Sequence, residues 1–141
     1  MVISATVVNE GTQHRAVVRT GSKEQQLSMT AKPEGPGSAV NGGELLFLAL
    51  ATCYCNDIYR EAAERGLEIT SVEVEVTGLF GGRGEPCRDI RYRASLQSKA
   101  SEAELFDLMR HTDSVAEIHN TLRLGTAVTM EECRVGRSLS D

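Results

Sequence analysis

The segment ELLFLALATCYCNDIYREAAERG, Glu44 to Gly66, constrains this chain more than any other. It reads as one helix, and its first half, Leu45 to Ala51, is apolar on every face. A helix that is apolar all round must be covered on all sides. A chain of 141 residues has little material for that. The pattern predicts a central helix packed inside a homodimer, with the thiol of Cys53 in its buried middle. Left open, such a face would be a large adhesive patch.

At this length one domain spanning residues 1–141 is expected. Hydrophobic residues make up 40% and charged residues 25%, the ordinary balance of a globular protein. The net charge of −5 argues against nucleic acid as a partner. Aromatics are 4% and Trp is absent, which argues against a base-stacking surface. No apolar run reaches the roughly 20 residues of a membrane span, so no membrane partner is expected. The start, MVISATVVNEGT, lacks a basic end followed by an apolar stretch, and a cytoplasmic location is the expectation.

Val7 to Arg19 and Glu24 to Thr30 alternate as two or three antiparallel strands, with turns at Glu10–Gly11 and Gly21–Ser22. Ala31 to Gly43 is a Gly/Pro-rich loop. Asn41 with Glu44 has the spacing of a capping box for the central helix, and Gly66 supplies its stop. In SVEVEVTG, Val72, Val74 and Val76 share one face and Glu73 and Glu75 the other; DIRYRASLQ alternates Arg91 and Arg93 against Ile90 and Tyr92. An acidic face beside a basic one suits antiparallel pairing across the Gly78–Cys87 loop. A second capping box, Ser101 with Glu104, opens a helical stretch that Asp113–Ser114 divides. TAVTMEECRV, Thr126 to Val135, reads as a last strand carrying Cys133. The order gives an α+β fold, helices packed on antiparallel sheets.

The cysteines are Cys53, Cys55, Cys87 and Cys133. Their spacing matches no paired metal motif, so neither a metal nor a cofactor is expected. Two residues apart on a helix, Cys53 and Cys55 point about 200° apart and cannot bridge. Four free thiols are the expectation in a reducing compartment. A thiolate at Cys53 gains nothing from the helix dipole, which acts only near the first turn. Burial would raise the thiol pKa, so reactivity requires a nearby cation, with Arg15 or Arg19 the candidates. The plainer reading is that Cys53 fills space in a helix core. His14 and His111 read as surface residues, and Glu61, Glu64 and Arg65 as a solvated helix face.

GGELLFLALATC is similar to the P-x-E-L-L-L-A-A-L-x-A-C helix of the OsmC/Ohr family, the osmotically inducible and organic hydroperoxide resistance proteins. The E-A-A-E-R-G end of the helix, the V-E-V-E-V-x-G strand and the later IHNTLRLG, which resembles C-P-V-H-x-T-L, follow in the family's order. The resemblance implies an OsmC-like fold: an intertwined α+β homodimer with a central buried helix between antiparallel sheets. It implies a nucleophile at Cys53, an activating Arg, whose position falls near Gln13 so that Arg15 or Arg19 would substitute, and an accessory Glu at the helix start, here Glu44. His119 and Ala116 would line the substrate pocket. The chain departs from the family pattern at Ala116, where the second cysteine belongs, and at Gly43, where peroxidase-type members carry Glu. The resemblance thus implies a one-cysteine, thiol-dependent peroxidase that takes organic hydroperoxides and an external thiol reductant. The alternative is a non-catalytic dimer binding a small apolar ligand at its interface.

Overall fold

The computed structural model describes residues 1–136. Along the chain run β1 (Ile3–Glu10), β2 (Gln13–Thr20), β3 (Lys23–Leu27), α1 (Gly42–Glu64), β4 (Ile69–Leu79), β5 (Arg88–Ser98), α2 (Glu102–Val115) and α3 (Glu117–Arg123). The chain forms two compact units. One comprises Met1–Ala51 with Glu75–Arg93, the other Thr52–Val74 with residues 94–136. The α+β class and the antiparallel sheets match the sequence-based expectation.

In the first unit β1, β2 and β3 form an antiparallel sheet in that order. Its hairpins turn at Gly11 and Gly21, with φ of 58° and 57°. These positive angles are those a two-residue hairpin loop needs, and glycine adopts them without strain. The Gly/Pro-rich loop then leads to α1, and the expected capping box is present. Asn41 Oδ1 accepts from the Glu44 backbone N–H at 2.8 Å, and Glu44 Oε1 accepts from the Asn41 N–H at 3.0 Å. β4 pairs with β5. The predicted charge complementarity appears as the Arg93–Glu75 ion pair at 2.6 Å. Phe47 of α1 and Phe80 after β4 lie 5.8 Å apart between ring centroids. A Cβ at Gly78 would come within 2.5 Å of Phe47 Cζ, so the ring seats on bare backbone.

In the second unit α1 ends in a Schellman cap at Gly66, φ 68°, with Leu67 N–H donating to Ala62 O at 2.9 Å and Gly66 N–H to Ala63 O at 3.1 Å. Ile58 of α1 is wholly buried, as are Leu108 and Thr112 of α2. Tyr54 donates its hydroxyl to Met109 O at 2.9 Å, tying α1 to α2. The capping box at Ser101 and Glu104 starts α2 as expected. The break between α2 and α3 falls at Ala116 (φ −73°, ψ 108°), a little beyond the expected Asp113–Ser114.

Two expectations are corrected. Thr126–Val135 is not a strand: the segment carries no regular structure, and Val128, Met130 and Val135 are almost fully exposed. Its alternating sequence suits a strand, but a strand forms only against an edge that accepts its hydrogen bonds, and this segment pairs with neither sheet. Glu61 is buried rather than solvated. The all-apolar half of α1 is covered unevenly in one chain: Leu50 is buried while Leu48 is 60% exposed.

Candidate thiol site

Cys53 lies mid-helix and half-buried. One turn on, at the i+4 position that shares its face, stands Asp57. Cys53 Sγ donates to Asp57 Oδ2 at 3.5 Å. On the same sulfur the backbone N–H of Ile118, in the first turn of α3, acts as donor. Asp57 is buried, and its other oxygen meets Arg60 Nη1 at 3.2 Å. Arg60 also pairs with Glu117 at 3.4 Å and with Glu61 at 3.2 Å. The second Glu61 oxygen meets the partly exposed His111 at its Nε2, 3.3 Å away, which joins His111 to this network.

The electrostatics follow from burial and sign. Loss of water pushes the Cys53 thiol up; the Ile118 N–H opposes this, and the negative charges of Asp57 and Glu117 reinforce it. Burial also raises Asp57, against the pull of Arg60, and Glu117 adds to the rise. Glu117 moves the other way, held down by its own backbone N–H and by Arg60. Of the two neighbouring carboxyls, Asp57 is therefore the one that takes a proton first. Cys53 Sγ and one oxygen each of Asp57 and Glu117 lie within 4.8 Å of one another. That spacing would admit a cation, but the Arg60 guanidinium already pairs with both carboxylates.

Ala116 and His119 flank the same stretch of chain. Ala116 is wholly buried at the junction of α2 and α3, and it brings no thiol there. His119 is buried in α3 with its ring 5.9 Å from that of Tyr54. Burial first, then the charge of Arg123, lowers its pKa, so the imidazole is neutral at pH 7. Arg15 and Glu44 belong to the other compact unit. Arg15, on β2, lines a shallow depression with Ser4, Thr6, Val17, Arg19 and Glu24. Arg19 is ion-paired with Glu24. The Glu44 carboxylate is engaged in capping α1. At Gly43 a Cβ would lie 2.8 Å from Phe80 Cε2, so the Phe80 ring fills the space a side chain would need. All four cysteines are free.

The sequence reading passed over Asp57, Arg60 and Glu117. Helical spacing alone links the first two to Cys53, through i+4 and then i+3. Glu117 joins them only because α3 folds back to Arg60, which no local pattern reveals.

A family model described as OsmC-like protein matches residues 35–131. Solved structures of similar fold include an OsmC-like protein from Mycoplasma pneumoniae, 20% identical, with a TM-score of 0.61 over 89% of this chain and 87% of that one. An organic hydroperoxide resistance protein OsmC from Legionella pneumophila is 18% identical, with a TM-score of 0.58 over 87% and 90%. OhrB, an organic hydroperoxide resistance protein of Bacillus subtilis, is 14% identical, with a TM-score of 0.54 over 89% and 93%. No curated protein sequence matches this chain. No helix among the described residues is long and apolar enough to cross a membrane.

Proposed function

The chain belongs to the OsmC-like protein family, and from that membership we propose that it is a thiol-dependent reductase of organic hydroperoxides that works with a single cysteine, Cys53. The relatives from Legionella pneumophila and Bacillus subtilis bear organic hydroperoxide resistance in their names. The observation that carries the reading is the setting of Cys53: a half-buried helix thiol held between a carboxylate acceptor and a backbone N–H. Such a sulfur is aimed, and it has somewhere to send its proton.

The Cys53 thiolate attacks the outer oxygen of R–O–OH, the O–O bond breaks, and the sulfur becomes a sulfenic acid while the substrate leaves as an alcohol. With Ala116 in place of a second thiol, reduction falls to an external small thiol. One equivalent displaces water to give a mixed disulfide, and a second regenerates Cys53. A cytoplasmic location would supply such thiols, and a homodimer would cover the open face of α1. Arg15, Glu44 and His119 retain the supporting roles that family resemblance gives them.

A second reading is favoured by the raised Cys53 pKa, which keeps the thiol protonated and sluggish. In it the dimer binds a small apolar ligand and Cys53 only lines the cavity. Treatment with cumene hydroperoxide, followed by a dimedone-type probe and mass spectrometry, separates the two. Peroxidase chemistry labels Cys53, and Cys53→Ser abolishes the label. Labelling no faster than that of a free cysteine at the same pH would favour the ligand binder.

A further inference from the structure

We infer that Asp57 is a catalytic residue of this site, the proton shuttle that accepts the Cys53 proton as the sulfur attacks and delivers it to the departing alcohol. The inference rests on the peroxidase reading above and adds to it a residue that family resemblance does not supply.

The geometry gives a direct path for the proton. Asp57 Oδ2 is the acceptor on Sγ at 3.5 Å, from the same helix face one turn away. Asp57 Oδ1 pairs with Arg60 at 3.2 Å, which orients the carboxyl with Oδ2 toward the sulfur. The charged and titratable groups facing it are Cys53 and Arg60 from α1 and Glu117 from α3, with Glu61 and His111 beyond Arg60. When Asp57 becomes neutral, Arg60 still has Glu117 and Glu61 as counter-ions, so protonation strands no charge. A carboxyl raised by burial is also a better base than an exposed one. This answers the difficulty set by the thiol itself. Cys53 carries little thiolate at neutral pH, so it needs a base in the attacking step rather than a lowered pKa.

The step balances. S–H gives its proton to the Asp57 carboxylate, and the sulfur electron pair forms S–O with the outer peroxide oxygen. The O–O bond breaks with its pair on the inner oxygen. That alkoxide takes the proton from Asp57, which ends ionised as it began. Sulfur is oxidised by two electrons and the peroxide is reduced by two. The sulfenic O–H is the one the hydroperoxide brought.

The test exploits leaving groups. An alkoxide needs a proton to leave, whereas a carboxylate from a peroxyacid and iodide from iodoacetamide do not. Single-turnover rates of Cys53 oxidation are measured for wild type and Asp57→Asn with cumene hydroperoxide and with a peroxyacid, and alkylation by iodoacetamide is followed alongside. Asp57→Asn should slow the alkyl hydroperoxide by about 10²-fold, the ordinary scale of a lost general acid–base. It should slow the peroxyacid and iodoacetamide far less, because those reactions lose only the base for the Cys53 proton, and removing a negative neighbour from the thiol offsets part of that loss. A purely electrostatic Asp57 would make all three reagents faster in the variant, and that result overturns the shuttle. If wild type forms no sulfenic acid with any peroxide, the peroxidase reading itself falls and the shuttle with it. Should Asp57→Asn not fold, wild type alone decides. Across hydroperoxides whose alcohols differ in acidity, a shallow rate dependence supports protonation of the leaving group, and a steep one excludes it.

Discussion

The Asp57 carboxyl is 6% exposed and titrates above its ordinary range, so the folded chain holds that proton more tightly than the unfolded chain does. The stability this gives is fully present below the ordinary carboxylate pKa of about 3.9 and is lost as pH rises through the raised folded value. Asn does not titrate. Against wild type, Asp57→Asn should therefore gain stability on going from about pH 4 to pH 7.5. Thermal melts of both chains across that range measure it, and a difference that does not move with pH would mean that Asp57 is not the titrating group. The i+4 spacing that joins Asp57 to Cys53 was legible in the sequence, since helix geometry is local. Its burial and its raised pKa were not, because they come from the packing of α2 and α3 around α1.

At the scale of elements, Phe47 leaves no room for a side chain at Gly78 in β4. Gly78→Ala would put a methyl 2.5 Å from Phe47 Cζ and 3.0 Å from Cys87 Sγ. Overpacking of this kind costs about 1–3 kcal/mol. A urea midpoint should fall accordingly in Gly78→Ala, and Phe47→Leu in the same chain should recover part of the loss, since contacting positions do not add. An unchanged midpoint would mean that the ring moves freely. The elements themselves were largely readable beforehand. Both capping boxes and the Gly66 stop lie within a few residues of their partners, so sequence alone locates them. Thr126–Val135 shows the limit: alternation licenses a strand, but pairing depends on a distant edge. Glu61 failed as a solvated residue for the same reason, because its cover comes from α2.

For the whole molecule, the open question posed by the sequence is how α1 is covered. Leu48 is 60% exposed in one chain, and Val128 and Met130 present further bare apolar surface. The proposed homodimer would bury at least the open face of α1. Sedimentation at micromolar concentration should give the mass of two chains, and Leu48→Asp should shift it toward one or unfold the protein. A single-chain mass for wild type would overturn the assembly. The sequence pointed to burial on all sides of this helix, but it holds no signal for the geometry that provides it. The charge around the thiol has a different kind of consequence. One guanidinium, Arg60, serves three carboxylates, Asp57, Glu61 and Glu117, in a chain of net charge −5. With fewer cations than carboxylates beside Cys53, an uncharged oxidant would be admitted more readily than an anionic one. The site would discriminate among oxidants by sign of charge before shape is tested, and added salt would relax that discrimination.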